Sequence, residues 1–437
     1  MDDTRVPAVP KSIEETGLDE AFLLDLALKH VYFGSGLQAI DLARRMAVDF
    51  HILSGLLESL KRDQLVTGGG GSGALGGVWF RWSVTRDGRD KVAEIMLRDN
   101  YRGPAPVPFD QYTAQLEHQR IDQHEVTPAM VEYAFSRLVL DPKVVTAIGP
   151  AIRSGRPIFL YGPSGNGKTS MAECIAETMR GGVFVPRALM AEGEIVVVYD
   201  EVHHQPIGGD ELEHDRRWVH CERPKVLVGG ELTMDMLDLT SVPQATFSKA
   251  PFQVKANSGV LFVDDFGRQR ADAHDLLNRW IVPLESRFDY LTFPSGQKVR
   301  VPFDCLVVFS TNLDPRQLAD DAFLRRIRYK IRLGPPTPSM YREIFQRQCR
   351  ELGIGYDAGV VEYLLQKHYF APARPLKACE PRDLLQQMAD VHRFSGDMPG
   401  LSPVVIDRLA ELYFGGLELD SPGPTDAEVT HARPRTP

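Results

Sequence analysis

Cysteine is scarce in this chain. There are five in 437 residues, Cys174, Cys221, Cys305, Cys349 and Cys379, an odd number with no C-x-x-C pair. That favours a reducing, cytoplasmic setting over a disulfide framework. Long apolar runs are missing as well. Nothing approaches the ~18 residues of a membrane span, so no membrane insertion is expected. The opening residues, MDDTRVPAVPKSIEE, lack the apolar stretch of a secretory signal. Net positive charge is also lacking. With 59 acids against 50 bases the formal charge is −9, which argues against coating nucleic acid or an anionic membrane as the main task. It leaves room for a local basic patch. There is no internal repeat. Hydrophobic residues at 43% and charged residues at 25% are ordinary globular usage, so a mainly disordered, collagen-like or coiled-coil chain is excluded. The length predicts roughly three domains.

Residues 1–17 are polar and proline-containing and read as a flexible arm. Within residues 18–102, helical spacing recurs over Ala21–Val31, Leu37–Met46 and Ile52–Leu60. A glycine-rich tip from Gly68 to Gly77 precedes the alternating run Val78–Val84, and a last helix is expected over Asp90–Leu97. Three helices, a hairpin and a closing helix resemble a winged helix-turn-helix. Residues 103–126 are polar with three prolines and read as a linker. Residues 127–334 alternate helical patterns with the short apolar runs Ile158–Tyr161, Val183–Val185, Val260–Val263 and Leu306–Phe309. Such runs predict an α/β fold, a parallel sheet covered on both faces. Residues 335–415 are helical in period, and residues 416–437 read as a disordered tail.

The strongest motif is Gly162-Pro163-Ser164-Gly165-Asn166-Gly167-Lys168-Thr169, a full G-x-x-x-x-G-K-[ST] match. An apolar strand precedes it, and Ser170–Arg180 follows as a helix. Glycines let backbone N–H groups wrap phosphate oxygens, and the helix start adds positive potential. Lys168 is expected to reach the β- and γ-phosphates of ATP and Thr169 to ligate Mg²⁺. A second run, Val260-Leu261-Phe262-Val263, ends in Asp264 and Asp265. Asp264 is expected in the Mg²⁺ shell, and Asp265 to orient and activate the attacking water.

With these residues the chain resembles the AAA+ ATPases, over roughly residues 127–415. The resemblance implies a P-loop αβα core, a helical lid and further site residues. Leu306–Asn312 looks like the sensor 1 strand, with its polar end, Asn312, on the γ-phosphate or the water. Ala322-Phe323-Leu324-Arg325-Arg326-Ile327 looks like the arginine-finger segment, with Arg325 and Arg326 reaching a neighbouring subunit's nucleotide. Glu380-Pro381-Arg382-Asp383-Leu384-Leu385 looks like sensor 2, with Arg382 on the γ-phosphate. The family's usual second acid is glutamate, so aspartate at position 265 implies slow hydrolysis. Two short strands, Asp289–Phe293 and Lys298–Pro302, resemble the pre-sensor 1 hairpin, and the best match is a MoxR-like bacterial ATPase.

A finger acting in trans implies a homo-oligomeric ring, usually a hexamer, that remodels a protein partner. The hairpin and the segment Phe184–Leu232 are its candidate moving loops. That segment concentrates His203, His204, His214, His220 and Cys221, in spacing that fits a solvated polar loop better than a zinc site. The stripe Leu276, Leu277, Trp280 and Leu284 reads as core. In the N-terminal module acids nearly cancel bases, which favours protein docking over DNA contact. A DNA-associated regulator whose nucleotide state switches assembly is the alternative.

Overall fold

The structure is a computed structural model that describes residues 5–69, 80–208, 213–318, 321–396 and 400–418. The chain divides into two compact units. The first takes in Met1–Phe135, Lys143–Tyr161 and Thr169–Arg332; the second takes in Ser136–Pro142, Gly162–Lys168 and Leu333–Pro437.

The first unit is built on a five-stranded sheet in the order Tyr329–Arg332, Ile158–Tyr161, Leu306–Thr311, Val260–Val263, Lys225–Val228, every neighbouring pair parallel. The strands Val260–Val263 and Leu306–Thr311 are buried at every residue, which is why they read as continuous apolar runs. Phe159, Phe266 and Phe309 pack ring to ring at 5.2–6.0 Å, and Trp280 meets Phe309 at 5.6 Å. Trp280 comes from the helix Ala273–Ser286, whose start is fixed by the Asp272 carboxylate accepting from the His274 and Asp275 N–H groups. Its Leu276, Leu277, Trp280 and Leu284 are all buried, the expected core stripe.

One expected sheet member lies elsewhere. Val183–Val185 belongs to Gly182–Pro186, which pairs antiparallel with Trp218–Glu222. Lys225–Val228 takes the sheet edge instead. A strand buried on both faces looks the same in sequence whichever sheet it joins. The edge strand alternates exposed and buried, Leu227 being 56% exposed, and so gives a weak apolar signal.

The hairpin Phe288–Thr292 with Lys298–Pro302 is antiparallel, Tyr290 opposite Arg300. It does not stand free. Leu291, Phe293, Val299 and Val301 share a core with Leu189, Val196 and Trp218. Gln297 donates to Glu192 at 3.0 Å, and Arg279 clamps the buried Asp289 with two bonds of 2.5 and 2.9 Å.

The amino-terminal part holds the helices Glu20–Phe33, Ala39–Met46 and Phe50–Arg62, the antiparallel strands Val66–Gly69 and Arg81–Val84, and the helix Arg86–Arg98. Asp19 and Asp49 cap the first and third helices at 2.7 Å. The closing helix starts at Arg86 rather than Asp90, because the Thr85 hydroxyl accepts from Gly88 N–H. Gly88 must be glycine, since a Cβ there would lie 2.0 Å from Leu65 O. Most of the expected glycine-rich tip and the start of the strand after it, residues 70–79, lie outside the described residues. The core of these helices continues into Ala188 and Ile195, and Tyr101 packs edge-on against Phe247 at 5.5 Å.

Two stretches that read as arm and linker carry structure. Ser12 caps a helical turn, Ile13–Thr16, and Arg5 O and Pro7 O accept bonds from Gln115 and Asp215 N–H. Residues 103–126 contain the helix Phe109–His118, with Tyr112 buried and bonded to Asn257. Their prolines mask an apolar stripe of Tyr112, Leu116 and Ile121, all buried.

The second unit is helical after Leu333. Pro338–Glu351, Ala358–Leu364, Glu380–Ser395 and Pro403–Glu418 bury Tyr341, Phe345, Leu364, Leu384, Met388 and Phe414 in one core. The last helix continues into the start of the expected tail, and residues 419–437 lie outside the described residues.

Candidate nucleotide site

In the second unit, Gly162–Lys168 turns tightly, with φ of 139°, 79° and 81° at Gly162, Gly165 and Gly167. These values favour glycine. Space forbids a side chain too. A Cβ on Gly162 would sit 2.1 Å from Leu333 O, and one on Gly165 2.7 Å from Cys379 Sγ. The loop curls round its own lysine. Lys168 Nζ donates to Gly162 O at 2.9 Å and Pro163 O at 3.1 Å. Asn166, 6% exposed, donates to Pro163 O and accepts from Ala378 N–H.

In the first unit, the strands Ile158–Tyr161, Leu306–Thr311 and Val260–Val263 are adjacent and parallel, so their carboxyl ends share one edge of the sheet. Thr169 Oγ1 lies 3.0 Å from Asp264 Oδ2. Asp264 Oδ1 accepts from Asp265 N–H at 2.9 Å, and Asn312 Nδ2 donates to Asp265 Oδ1 at 3.3 Å. The hydroxyl and carboxylate oxygens of Thr169 and Asp264 are the hard donors that Mg²⁺ prefers.

Asp265 has φ 48°, in the left-handed region. Aspartate and asparagine are among the residues that tolerate that conformation best. The turn is braced. Phe266 N–H donates to Ser310 O at 2.6 Å, and Thr311 Oγ1 donates to Phe266 O at 2.7 Å. Gln269 accepts from Gly267 N–H and donates to Asp264 O. Gln269 had no signal in the sequence, because its role depends on a turn that doubles back.

Sequence-named arginines fall at helix ends. Arg325 and Arg326 close the short helix Asp321–Arg326. Arg325 is exposed, and Arg326 Nε bonds Glu285 at 2.5 Å. The Arg382 side chain is 60% exposed and pairs with Asp383 at 3.2 Å. Ser170 sits in the first turn of the helix Lys168–Thr178.

The histidine-rich segment is largely occupied with packing. His204 is buried, accepts from Asp200 N–H through Nδ1, and bonds Lys255 O through Nε2 at 2.9 Å. Burial pushes its pKa down to about 4, so the ring is neutral and Nε2 donates. His220 stacks on Phe184 at 4.9 Å. Among the described residues no three His, Cys, Asp or Glu side chains gather as a metal site, and no helix is long and apolar enough to cross a membrane.

A family model described as "Domain of unknown function (DUF8689)" matches residues 337–411. No curated protein matches the chain. Among solved structures, NtrX from Brucella abortus in complex with ADP is similar at 13% identity and a TM-score of 0.41, over 78% of this chain and 63% of that one. The chain thus spans less than two thirds of that protein's length. Domain III of the Thermotoga maritima replication initiation protein DnaA is similar at 14% identity and a TM-score of 0.35, over 67% of this chain and 98% of that one. The Thermotoga maritima RuvB Holliday junction branch migration motor is similar at 16% identity and a TM-score of 0.36, over 62% and 67%. The strand order and the loop that follows Ile158–Tyr161 make the fold α/β, consistent with a P-loop AAA+ core.

Proposed function

We propose that this chain is a Mg²⁺-ATP-dependent AAA+ ATPase that works as a homo-oligomeric ring, a hexamer, and remodels a protein partner. The observation that carries the reading is the 3.0 Å contact of Thr169 with Asp264, in the residue directly after the phosphate-loop lysine. Gly162–Lys168 wraps the phosphates with backbone N–H groups, and Lys168 leaves its own carbonyls for phosphate oxygens. Thr169 and Asp264 hold Mg²⁺, which supplies charge neutralisation at the phosphates when bound. Asp265 takes the proton of the attacking water, and Asn312 steadies the Asp265 carboxylate. Arg325 and Arg326 stabilise charge on a neighbouring subunit's nucleotide, and Arg382 turns from Asp383 to the γ-phosphate. In a MoxR-like member, hydrolysis moves the hairpin Phe288–Pro302 and the segment Phe184–Leu232 against the protein partner, with the amino-terminal helices as adaptor.

Protein docking is favoured over DNA contact by the charge balance on those helices. Asp41 faces Arg44 at 3.5 Å and Glu58 faces Lys61 at 3.9 Å, so those two exposed cations are offset. The reading is tested by ATP titration with and without Mg²⁺. Thr169→Val should keep Mg²⁺-free binding and lose the Mg²⁺-dependent gain. A gain that persists in Thr169→Val contradicts the metal assignment.

A further inference from the structure

The phosphate loop is held by a segment that no motif names, Lys377-Ala378-Cys379. Cys379 N–H donates to Gly165 O at 2.9 Å, and Ala378 N–H donates to Asn166 Oδ1 at 3.3 Å. The Lys377 stem lies over Gly165, and a Cβ there would come 3.3 Å from Lys377 Cδ. Two consecutive backbone donors therefore fix the tip of the loop.

What fixes the segment is a buried carboxylate. Glu380 is 1% exposed. Its Oε2 accepts from Lys377 N–H at 3.2 Å and from Tyr369 Oη at 2.8 Å. Tyr369 in turn shares a 2.8 Å bond with Tyr341, and both rings are fully buried. Lys377 Nζ stays 3.9 Å from Glu380 Oε1, so the acid is held by hydrogen-bond donors rather than a close ion pair. A buried acid is costly unless such donors satisfy it. The row Tyr341, Tyr369, Glu380 and Lys377 N–H thus ties the helical core to the segment that grips the loop.

We infer that Glu380 is a positioning residue for nucleotide binding, setting the shape of the phosphate loop through Lys377–Cys379 while the neighbouring Arg382 faces solvent. This rests on the nucleotide-binding reading above. A hydrogen-bonded strap over the loop makes nucleotide affinity depend on the helical core, because loosening the strap frees the loop to leave its phosphate-ready shape.

The test measures Kd for N-methylanthraniloyl-ATP, and Tm, in the full chain for wild type, Glu380→Gln, Glu380→Met, Tyr369→Phe and Lys168→Ala. Both bonds reach one oxygen of Glu380, so the amide oxygen of Glu380→Gln replaces it and affinity should stay near wild type. Glu380→Met keeps the volume, loses the acceptor, and should weaken binding about tenfold at a temperature where it is folded. Tyr369→Phe should fall between. Wild-type affinity in both Glu380→Met and Tyr369→Phe, whatever their Tm, overturns the positioning role and leaves the nucleotide site standing. If wild type binds no better than Lys168→Ala, the nucleotide reading fails and the inference with it.

Discussion

Replacing Asp265 by Asn should separate binding from hydrolysis if the proposed ATPase reading holds. The Asp265 backbone sits at φ 48°, a left-handed region that Asp and Asn both tolerate. Asn also keeps an oxygen to accept from Asn312 Nδ2, which now lies 3.3 Å from Oδ1. The turn should therefore survive, braced as before by Thr311, Ser310 and Gln269. What is lost is the carboxylate proposed above to take a proton from water. A positioned general base contributes about 10²–10⁴-fold to rate. The lower figure corresponds to about 2.7 kcal/mol of barrier. Phosphate release by Asp265→Asn should fall by at least about a hundredfold, while the Kd for ATP stays within about twofold. A continuous phosphate-release assay run beside a nucleotide titration reads both. Turnover of Asp265→Asn at the wild-type rate would refute the assignment of the base. A parallel collapse of binding would refute the claim that the turn tolerates Asn.

Two further outcomes concern the first unit. Asp304 is buried, accepts from Ile121 N–H at 3.0 Å, and burial raises its pKa to about 6 against 3.8 in an open chain. The folded state therefore holds that proton more tightly, and stability falls as pH rises from about 4 to 6. Asp304→Asn should gain on wild type across that window by about 3 kcal/mol, read by urea denaturation at several pH values; a difference flat in pH contradicts this. Arg279→Met should cost about 3–5 kcal/mol, because it removes the cation paired with the Asp289 carboxylate, which is 2% exposed, and leaves the charge to the Gln253 amide and the Tyr290 N–H. A loss under about 1 kcal/mol would show that the clamp on the hairpin is dispensable.

The candidate site could be proposed from sequence because its motifs are local. The phosphate loop, Thr169, Asp264 and Asp265 announce themselves in a motif and in an apolar run ending in acids. The strands Ile158–Tyr161, Val260–Val263 and Leu306–Thr311 were legible because burial on both faces leaves only apolar residues. Lys225–Val228 was not, since an edge strand alternates. Val183–Val185 misled for the opposite reason: its apolar run is buried in another core. Glu380 and Gln269 act through bonds to chain folded back on them, and no spacing encodes that. The Phe109–His118 helix was hidden by the prolines on its amino-terminal side.

The most direct test of the ring-ATPase account is Mg²⁺-ATP turnover measured together with mass in solution, with and without ATP. Wild type would be run beside Lys168→Ala, Arg325→Ala and Arg326→Ala. The account predicts an ATP-favoured hexamer whose turnover is lost in Lys168→Ala and in at least one arginine variant. Turnover by a monomer indifferent to both arginines, or binding with no turnover, would contradict it.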